Sequence, residues 1–329
     1  MSFKTAPPPA SPPSPSPTLA VRDARESRAS RLYEVMDLML DSVGDPLALD
    51  SLAASASYSS YHFDRIFREL TGFSAVEYQR RRRLRRAAHQ LRHEPDVAVG
   101  RIAQDCGFPS NAAFAKAFRQ QFAMSARTWS DGGWRAYMDA QVGRESDVSF
   151  FVAEPGNLAA LAAPYRAPAP GSIAARVTVR RLEALPLRYQ RFFGQSGAAL
   201  SLACNAVICA RASRAAWYGV FDEDPGFTGE REYCYDFGYQ AGGGAPGDAA
   251  ADDDSALGLR VLPAGNYACL PFHGEWPRFR AMYEDWLERQ ALWRLDSTRP
   301  HIQRVERDGA GLWQGWLALP VKRGLARSS

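Results

Sequence analysis

Two helical units with the same apolar pattern lie in the range Leu52–Phe122. In the first unit, apolar residues recur at spacings of i, i+3, i+4 and i+7, the period of one buried helix face. These residues are Phe63, Ile66, Phe67 and Leu70. The second unit carries the stripe Phe114, Phe118 and Phe122. Phe63 and Phe114 are 51 positions apart, as are Phe67 and Phe118, so the pattern predicts a duplicated helix-turn-helix.

The face opposite each stripe is polar. It holds Tyr61, Asp64, Arg65 and Arg68 in the first unit, and Asn111, Ala115, Lys116 and Arg119 in the second. Ser59 or Ser60 can cap the first of these helices and Ser110 the second, because a serine hydroxyl accepts hydrogen bonds from first-turn N–H groups. Because the repeat preserves both the apolar and the polar face, it indicates two related helices that each present a polar face for contact with a partner. We call them the reading helices.

A long helix predicted over Ser74–Leu91 joins the two units, and Arg80–Arg86 place six arginines in seven residues within it. Successive positions circle a helix, so these side chains cannot all reach one phosphate backbone. Two interpretations stay open: a solvated, self-repelling face, or phosphate contacts that flank a groove, with Arg82 and Arg85 as candidates. The connector is about 27 Å long. That length could hold two recognition helices one DNA turn, roughly 34 Å, apart.

Positive charge is concentrated around the helical repeat. The 329 residues carry a net charge of +4, and residues 1–140 hold 19 basic and 15 acidic side chains, so the whole surplus lies there. This placement favours a polyanionic partner.

Five cysteines include no C-x-x-C pair, which predicts free thiols in a reducing compartment and no metal site. Without an 18-residue apolar stretch or a signal peptide, we expect a cytoplasmic protein that has no membrane partner.

Composition divides the chain into five segments. Residues 1–25 form a Pro/Ser-rich tail predicted to be disordered, 26–140 the helical repeat domain, 141–172 an Ala/Pro/Gly-rich linker, 173–323 a second domain, and 324–329 a short tail. A helix before the repeat is predicted to pack against it through an apolar stripe. The stripe consists of Leu32, Val35, Met36, Met39 and Leu40.

The second domain has a different apolar period. Beyond the linker the period changes to 2, which is typical of strands. Residues Val177–Gly194 align with Leu257–Gly274 at an offset of 80 without a gap, and each copy continues with a helix and two strands. The sequence therefore predicts two domains: an all-α double helix-turn-helix, followed by an α+β domain built from a duplicated ββαββ unit.

The first half resembles the AraC/XylS family of bacterial transcription regulators over roughly residues 30–138. The matching stretches are SYSSYHFDRIFRELTG and, after the basic helix, IAQDCGFPSNAAFAKAFRQQF. The resemblance implies two recognition helices in successive major grooves of double-stranded DNA. The DNA-binding residues that it implies are Ser60, Tyr61, Asp64, Arg65, Arg68, Ser110, Asn111, Ala112, Lys116 and Arg119. Ala112 departs from the family, since many members have a longer polar side chain there.

The second half resembles the GyrI-like effector-binding domain over about residues 174–323, through the stretches LPAGNYACLPFHGEW, MYEDWLE and WYGVFDEDP. The resemblance implies an aromatic cleft for a small, often lipophilic or cationic effector. Candidate ligand-binding residues are Trp217, Tyr218, Tyr233, Tyr235, Phe272, Trp276, Tyr283, Trp286, Gln303, Trp313 and Trp316. Gln303 stands where many relatives carry a glutamate. An amide cannot cancel a buried charge, so a neutral ligand is at least as well supported as a cation.

The two resemblances together imply a one-component transcription regulator that responds to a small-molecule effector, and we expect it to need no cofactor. RNA polymerase is a further candidate partner, and the oligomeric state stays open. The alternatives are a GyrI-like hydrolase and a protein-interaction module tethered to DNA. The five histidines do not cluster, and the chain has no nucleophile-elbow or phosphate-loop motif, so we expect a protein that is not an enzyme.

Overall fold

A computed structural model describes residues 17–142, 169–195, 197–211, 214–223, 228, 232–242, 257–273 and 279–324. Helix α1 (Pro17–Asp41) begins inside the segment predicted to be a disordered tail, so that segment is helical from residue 17 onwards. Proline suits the first helical position, where its missing N–H would have no intrahelical partner. Residues 1–16 and 325–329 of the two predicted tails, and residues 143–168 of the predicted linker, lie outside the described residues.

The helical half forms two helix-turn-helix units on either side of a long connecting helix. Its helices after α1 are α2 (Leu49–Ser55), α3 (Ser60–Thr71), α4 (Ala75–His93), α5 (Val99–Asp105), α6 (Asn111–Phe122), α7 (Ala126–Thr128) and α8 (Trp134–Val142). The segment Trp129–Gly133, which is kinked at Gly132 with a φ of 106°, joins α7 to α8. Helices α2 and α3 make the first unit, α5 and α6 make the second, and α4 connects them, as the repeat predicts.

Both reading helices, α3 and α6, begin at a serine cap and end at a left-handed residue. Ser59 and Ser110 each accept a hydrogen bond from a first-turn N–H, so Ser59 rather than Ser60 caps α3. Helix α3 ends at Gly72, which has a φ of 79°. Helix α6 ends at Ala123, which takes up the same region with a φ of 57°. The two units therefore share their boundaries as well as their apolar stripes.

Each unit has its own apolar core. Phe63 and Phe67 of α3 are fully buried and pack with residues of α1, α2 and α4. Phe114 and Phe118 of α6 pack in a separate cluster with residues of α4 and α5. Trp129 closes the second cluster, and its indole N–H donates to a carbonyl oxygen of α4 at 2.8 Å. The predicted stripes are confirmed as the packed faces of these helices, although Leu70 is only half-buried.

The C-terminal half is built on an antiparallel sheet. Its strands are β1 (Thr178–Leu182), β2 (Leu185–Phe193), β3 (Ala216–Phe221), β4 (Cys234–Gln240), β5 (Gly258–Leu262), β6 (Gly265–His273), β7 (Trp293–Leu295), β8 (His301–Arg307) and β9 (Trp313–Arg323). Their order is β1-β6-β9-β8-β3-β4-β2-β5, and β7 pairs with β9 outside this path. Helices α9 (Gly197–Ala210) and α10 (Phe279–Asp285) complete an α+β half, which matches the predicted class.

Different parts of the chain cover the two faces of the sheet. Helices α9 and α10 cover one face, to which they contribute Leu200 and Met282. The other face carries Leu187 and Tyr218 and packs against α1 and the first helix-turn-helix unit, where Met36 belongs to the same core. The helical half is therefore docked directly on the sheet.

Candidate nucleic-acid interface

The polar face of α3 is exposed. Tyr61 is 83% exposed, and the side chains of Arg65 and Arg68 are 50% and 60% exposed. Arg65 Nη1 lies 2.8 Å from a carboxylate oxygen of Glu69, one helical turn away. Arg68 Nη2 lies 3.1 Å from Asp64 in the same spacing. Exposed pairs of this kind are weak, so both guanidinium groups are available to a ligand.

Two predicted contact residues of α3 are engaged within the protein. Asp64 Oδ1 accepts a hydrogen bond from the Ala75 N–H at 3.0 Å, and its Oδ2 accepts from Arg68. The Ser60 hydroxyl donates to Asp50 of α2. Both oxygens of Asp64 are thus bonded, and this residue fixes the corner between α3 and α4, while its contact with DNA stays a prediction.

The corresponding face of α6 is also exposed. The residues on it are Asn111, Ala112, Lys116 and Arg119, with Ser110 at its start. Within the described part of the chain, the side chains of Lys116 and Arg119 form no hydrogen bond or ion pair. Lys116 occupies the place in the second unit that Arg65 occupies in the first, 51 residues earlier. The repeat therefore presents an exposed cation at the same point of each reading helix.

Part of the arginine run of α4 is buried against the C-terminal half. Arg82 and Arg85 are 6% and 3% exposed. Arg82 Nε lies 2.8 Å from Oε1 of Glu223, and Arg85 pairs with both Glu223 and Glu232. The prediction that Arg82 and Arg85 contact DNA phosphates is therefore wrong, because carboxylates of the other half already neutralise these buried groups.

The spacing of residues along α4 could have indicated that Arg82 and Arg85 are buried. Tyr78, Arg82, Arg85 and His89 recur on one face of α4, and all four are buried. An aromatic residue at the start of that face indicates packing rather than solvent. The acidic partner lies 141 residues from Arg82 in the sequence, however, so nothing local identifies it.

A second buried ionic network joins α1 to the sheet. Arg191 of β2 donates to both carboxylate oxygens of Asp236 at 2.6 Å and to Asp37 of α1 at 2.7 Å. Arg260 of β5 pairs with Asp222 at 2.8 Å. Burial alone would raise the pKa of Asp222, but Arg260 outweighs it and lowers that pKa to about 2, so the carboxylate stays ionised. Sequence reasoning assigned no role to Arg191 or Asp37.

The aromatic candidates for an effector site do not share one cleft. Tyr218 and Trp316 lie on the sheet face that packs against the helical half. Most of the others lie in the core on the opposite face, and they are Trp217, Tyr233, Tyr235, Phe272, Tyr283, Trp286 and Trp313. Gln303 is buried and accepts a hydrogen bond from the Tyr235 hydroxyl at 3.5 Å, while Trp276 lies outside the described residues. Because alternate residues of a strand point to opposite faces, Trp217 and Tyr218 cannot line the same cleft, and the candidates cannot form one site together.

In the described part of the chain, no group of three His, Cys, Asp or Glu side chains is arranged to hold a metal ion. No described helix combines the length and the apolar character that crossing a membrane requires. The cysteines are free thiols, and Cys106, Cys204 and Cys269 are buried.

Residues 52–132, which hold both helical units, match a family model described as a helix-turn-helix domain. Right origin-binding protein of Escherichia coli K12 is 40% identical over 80 residues, which cover 24% of this chain and 27% of that protein. The chain thus spans about a quarter of that relative's length. "Probable transcription factor PqrA" of Proteus vulgaris is 34% identical over 87 residues, or 26% of this chain and 70% of that protein. The solved DNA-binding domain of AdpA in complex with a target DNA is 32% identical with a TM-score of 0.31, and the match covers 32% of this chain and 95% of that one.

Proposed function

The chain belongs to the AraC/XylS family of transcription regulators, and we propose that it binds a promoter site by placing α3 and α6 in two adjacent major grooves. The observation that carries the proposal is the pair of equivalent, exposed cations Arg65 and Lys116 on the two reading helices. Helix α4 has 19 residues. It is therefore about 28 Å long. That length suits two reading helices one DNA turn, roughly 34 Å, apart.

The exposed polar side chains have distinct roles in this arrangement. Arg65 and Lys116 donate to guanine O6 and N7, and Asn111 pairs with the N6 and N7 atoms of adenine. Arg68 and Arg119, in the last turns of the reading helices, contact phosphates and set the register. Base choice then depends on the first group, and overall affinity depends on the second.

The remaining positions on these helices contribute smaller contacts. Ser60 and Ser110 lie at the helix N-termini, where free N–H groups favour a phosphate. Tyr61 makes an apolar contact or donates its hydroxyl to a phosphate oxygen. Ala112 offers a methyl surface to a thymine methyl group in place of a longer polar side chain.

We further propose that the C-terminal half is a duplicated ββαββ domain of the GyrI-like kind. Strand pairing supports the duplication: Thr178 of β1 pairs with Cys269 of β6, and Gly258 of β5 pairs with Tyr189 of β2. The first pair becomes the second when each residue is replaced by its counterpart 80 positions away. The same relation holds for the other four pairs of each ladder, and the sheet order is symmetric about β3 and β8.

In this proposal the C-terminal half receives a small-molecule effector and passes the signal to the reading helices. The contacts of α1 and α4 with the sheet support this route, since a ligand that shifts the sheet also shifts both helices. A coupling free energy of about 1–3 kcal/mol between effector and DNA is enough for regulation. RNA polymerase is the partner that would convert occupancy of the promoter into a change in transcription.

The test is a selection of duplexes from random sequence with the full chain, followed by affinity measurements on the selected duplex and its single-base variants. Arg65→Ala and Lys116→Ala should each lose discrimination at one base pair, by about 1–3 kcal/mol. Arg127→Ala removes a cation that is 88% exposed outside the reading helices and should leave base choice unchanged. A chain that selects no sequence, or variants that keep full discrimination, would overturn the proposal.

A further inference from the structure

A cavity of about 200 Å³ lies in the seam between α4 and the sheet. Its walls come from the end of α1, the inner face of α4, the segment after β3, strand β5 and the segment before β8. Both halves of the chain therefore bound it. Of the residues predicted to bind an effector, none of the ten that the structure describes lines this cavity.

Arginine side chains outnumber carboxylates in the walls. The arginines are Arg82, Arg85, Arg86, Arg260 and Arg299, and the acids are Asp41, Asp222 and Glu223. Glu223 is bonded to the first two arginines and Asp222 to Arg260, while Arg299 holds Asp296 at 2.9 Å. The remaining acid, Asp41, is exposed at the end of α1.

Arg86 differs from the other arginines of the cavity. It is half-buried, and its side chain has no hydrogen bond or ion pair with any residue that the structure describes. The hydroxyl of Ser297, in the segment before β8, also lines the cavity and has no hydrogen-bond partner among these residues. An unpaired cation and a free hydroxyl in the walls of one cavity suit the two oxygens of a carboxylate.

The rest of the wall is apolar and the space is small. Leu40, Val43, Val261, Pro263 and Pro300 provide the apolar surface. At ~30 Å³ per water, the cavity corresponds to about seven water molecules, which is less than the 300 Å³ or more typical of drug-sized ligands. Its size and lining therefore suit a short carbon chain or a single ring that carries one charged group.

We propose that this cavity binds a small carboxylic acid, with its carboxylate on Arg86 and its apolar body against Val261 and Pro300. Such a ligand contacts α4 and the sheet at once, so it holds the connecting helix in one position between the two reading helices. This consequence for DNA rests on the proposed function, whereas the binding site itself does not.

The binding site can be tested by calorimetric titration of the full chain without DNA. Hexanoate and hexylammonium are suitable probes, because they have the same number of carbons and opposite charge, and inorganic phosphate tests the charge alone. We expect saturable binding of hexanoate with one site per chain, weaker binding of phosphate and no binding of hexylammonium. Absence of hexanoate binding, or equal binding of hexylammonium, would overturn the proposal.

Substitutions in the cavity wall test whether hexanoate binds in this cavity. Arg86→Gln should weaken hexanoate binding by about tenfold or more, and Arg86→Lys should restore part of it, since the ammonium keeps the charge but not the planar fork. Val261→Phe narrows the cavity and should weaken hexanoate binding without removing a charge. Arg127→Gln removes one charge elsewhere and should leave the affinity unchanged. Unaltered binding in both Arg86→Gln and Val261→Phe would place the ligand elsewhere and reject this site.

The link to DNA needs a separate measurement on the selected duplex. Saturating hexanoate should change the affinity of the wild-type chain for DNA by about fivefold or more and leave Arg86→Gln unaffected. An unchanged affinity in the wild type would reject the regulatory role while the calorimetric result stands. A chain that binds no duplex would instead reject the proposed function and leave the cavity assignment intact.

Discussion

Arg82 Nε lies 2.8 Å from the Oε1 atom of Glu223, across the seam between the helical half and the sheet. The same glutamate also pairs with Arg85, so Glu223 contacts both buried guanidinium groups of α4, and Glu232 contacts Arg85 as well. A buried charge that loses its partner is strongly unfavourable. The position of α4, which carries a reading helix on either side, is therefore tied to the C-terminal half.

Replacement of Glu223 should destabilise the protein. In Glu223→Gln the two arginines lose an anionic partner, and we expect the free energy of unfolding to fall by about 3–5 kcal/mol, as for other broken buried pairs. Urea denaturation followed by tryptophan fluorescence measures the loss. Glu69→Gln breaks an exposed pair with Arg65 and should cost about 1 kcal/mol or less. Similar losses in the two variants would show that the Glu223 contact does not stabilise the seam.

The salt dependence of DNA binding should separate the outer arginines from the buried ones. Arg119→Ala removes a proposed phosphate contact, so it should weaken binding to all duplexes and reduce the slope of log K against log salt by about 0.9. Arg82→Met should leave that slope unchanged, because Arg82 is buried in the seam. The slopes are obtained from the DNA affinities of the wild type and both variants over a series of salt concentrations. A reduced slope in Arg82→Met would mean that this arginine reaches the DNA.

Two glycines with similar backbone angles should respond differently to substitution. Gly107, in the turn of the second helix-turn-helix unit, has a φ of 73°, and a Cβ there would lie 2.6 Å from the carbonyl oxygen of Gly44. Gly72 has a φ of 79°, but a Cβ at Gly72 would have no described atom within 4 Å beyond its chain neighbours. Gly72→Ala should therefore cost about 1–2 kcal/mol of stability from backbone strain alone. Gly107→Ala should cost clearly more, and equal losses of unfolding free energy would contradict the close approach.

The stability of the protein should fall in mild acid because of His89. Burial, reinforced by His301 and Arg92, lowers the pKa of His89 well below its usual value of 6.5. Below pH 6.5 the unfolded chain binds a proton that the folded chain does not, so the free energy of unfolding decreases as the pH falls further. Above that pH, His89 is neutral in both states and contributes no pH dependence. Unfolding curves across this range should show a shallower decline for His89→Gln than for the wild type, and identical declines would exclude this role.

Local periodicity predicted much of the fold. The stripe of Phe63 and Phe67, and its copy 51 residues later, correctly predicted the two reading helices. This worked because the buried face of a helix depends on residues only three or four positions apart. The same reasoning located the exposed faces that carry Arg65 and Lys116. The strands of the second half followed from their alternation, although the short strand β7 was not predicted.

Contacts between distant parts of the chain could not be predicted in this way. A run of arginines has the same local pattern whether it faces phosphate or a carboxylate, and Glu223 and Glu232 are brought to Arg85 only by the docking of the two halves. The grouping of Tyr218 with Trp217 in one aromatic cleft was wrong for a related reason. Both faces of this sheet are covered, so a buried aromatic residue can point to either one.

The pairing of strands from distant parts of the chain determines whether the sheet can form when the chain is cut. Strand β1 does not pair with its neighbour in sequence, β2, but closes the far edge beside β6, while β5 closes the edge beside β2. The strands before β5 and those from β5 onwards are therefore joined at both edges of the sheet and at its centre, where β3 pairs with β8. Cleavage of the chain between β4 and β5 would leave these strands without their partners, so the sheet would form again only by association of the two fragments.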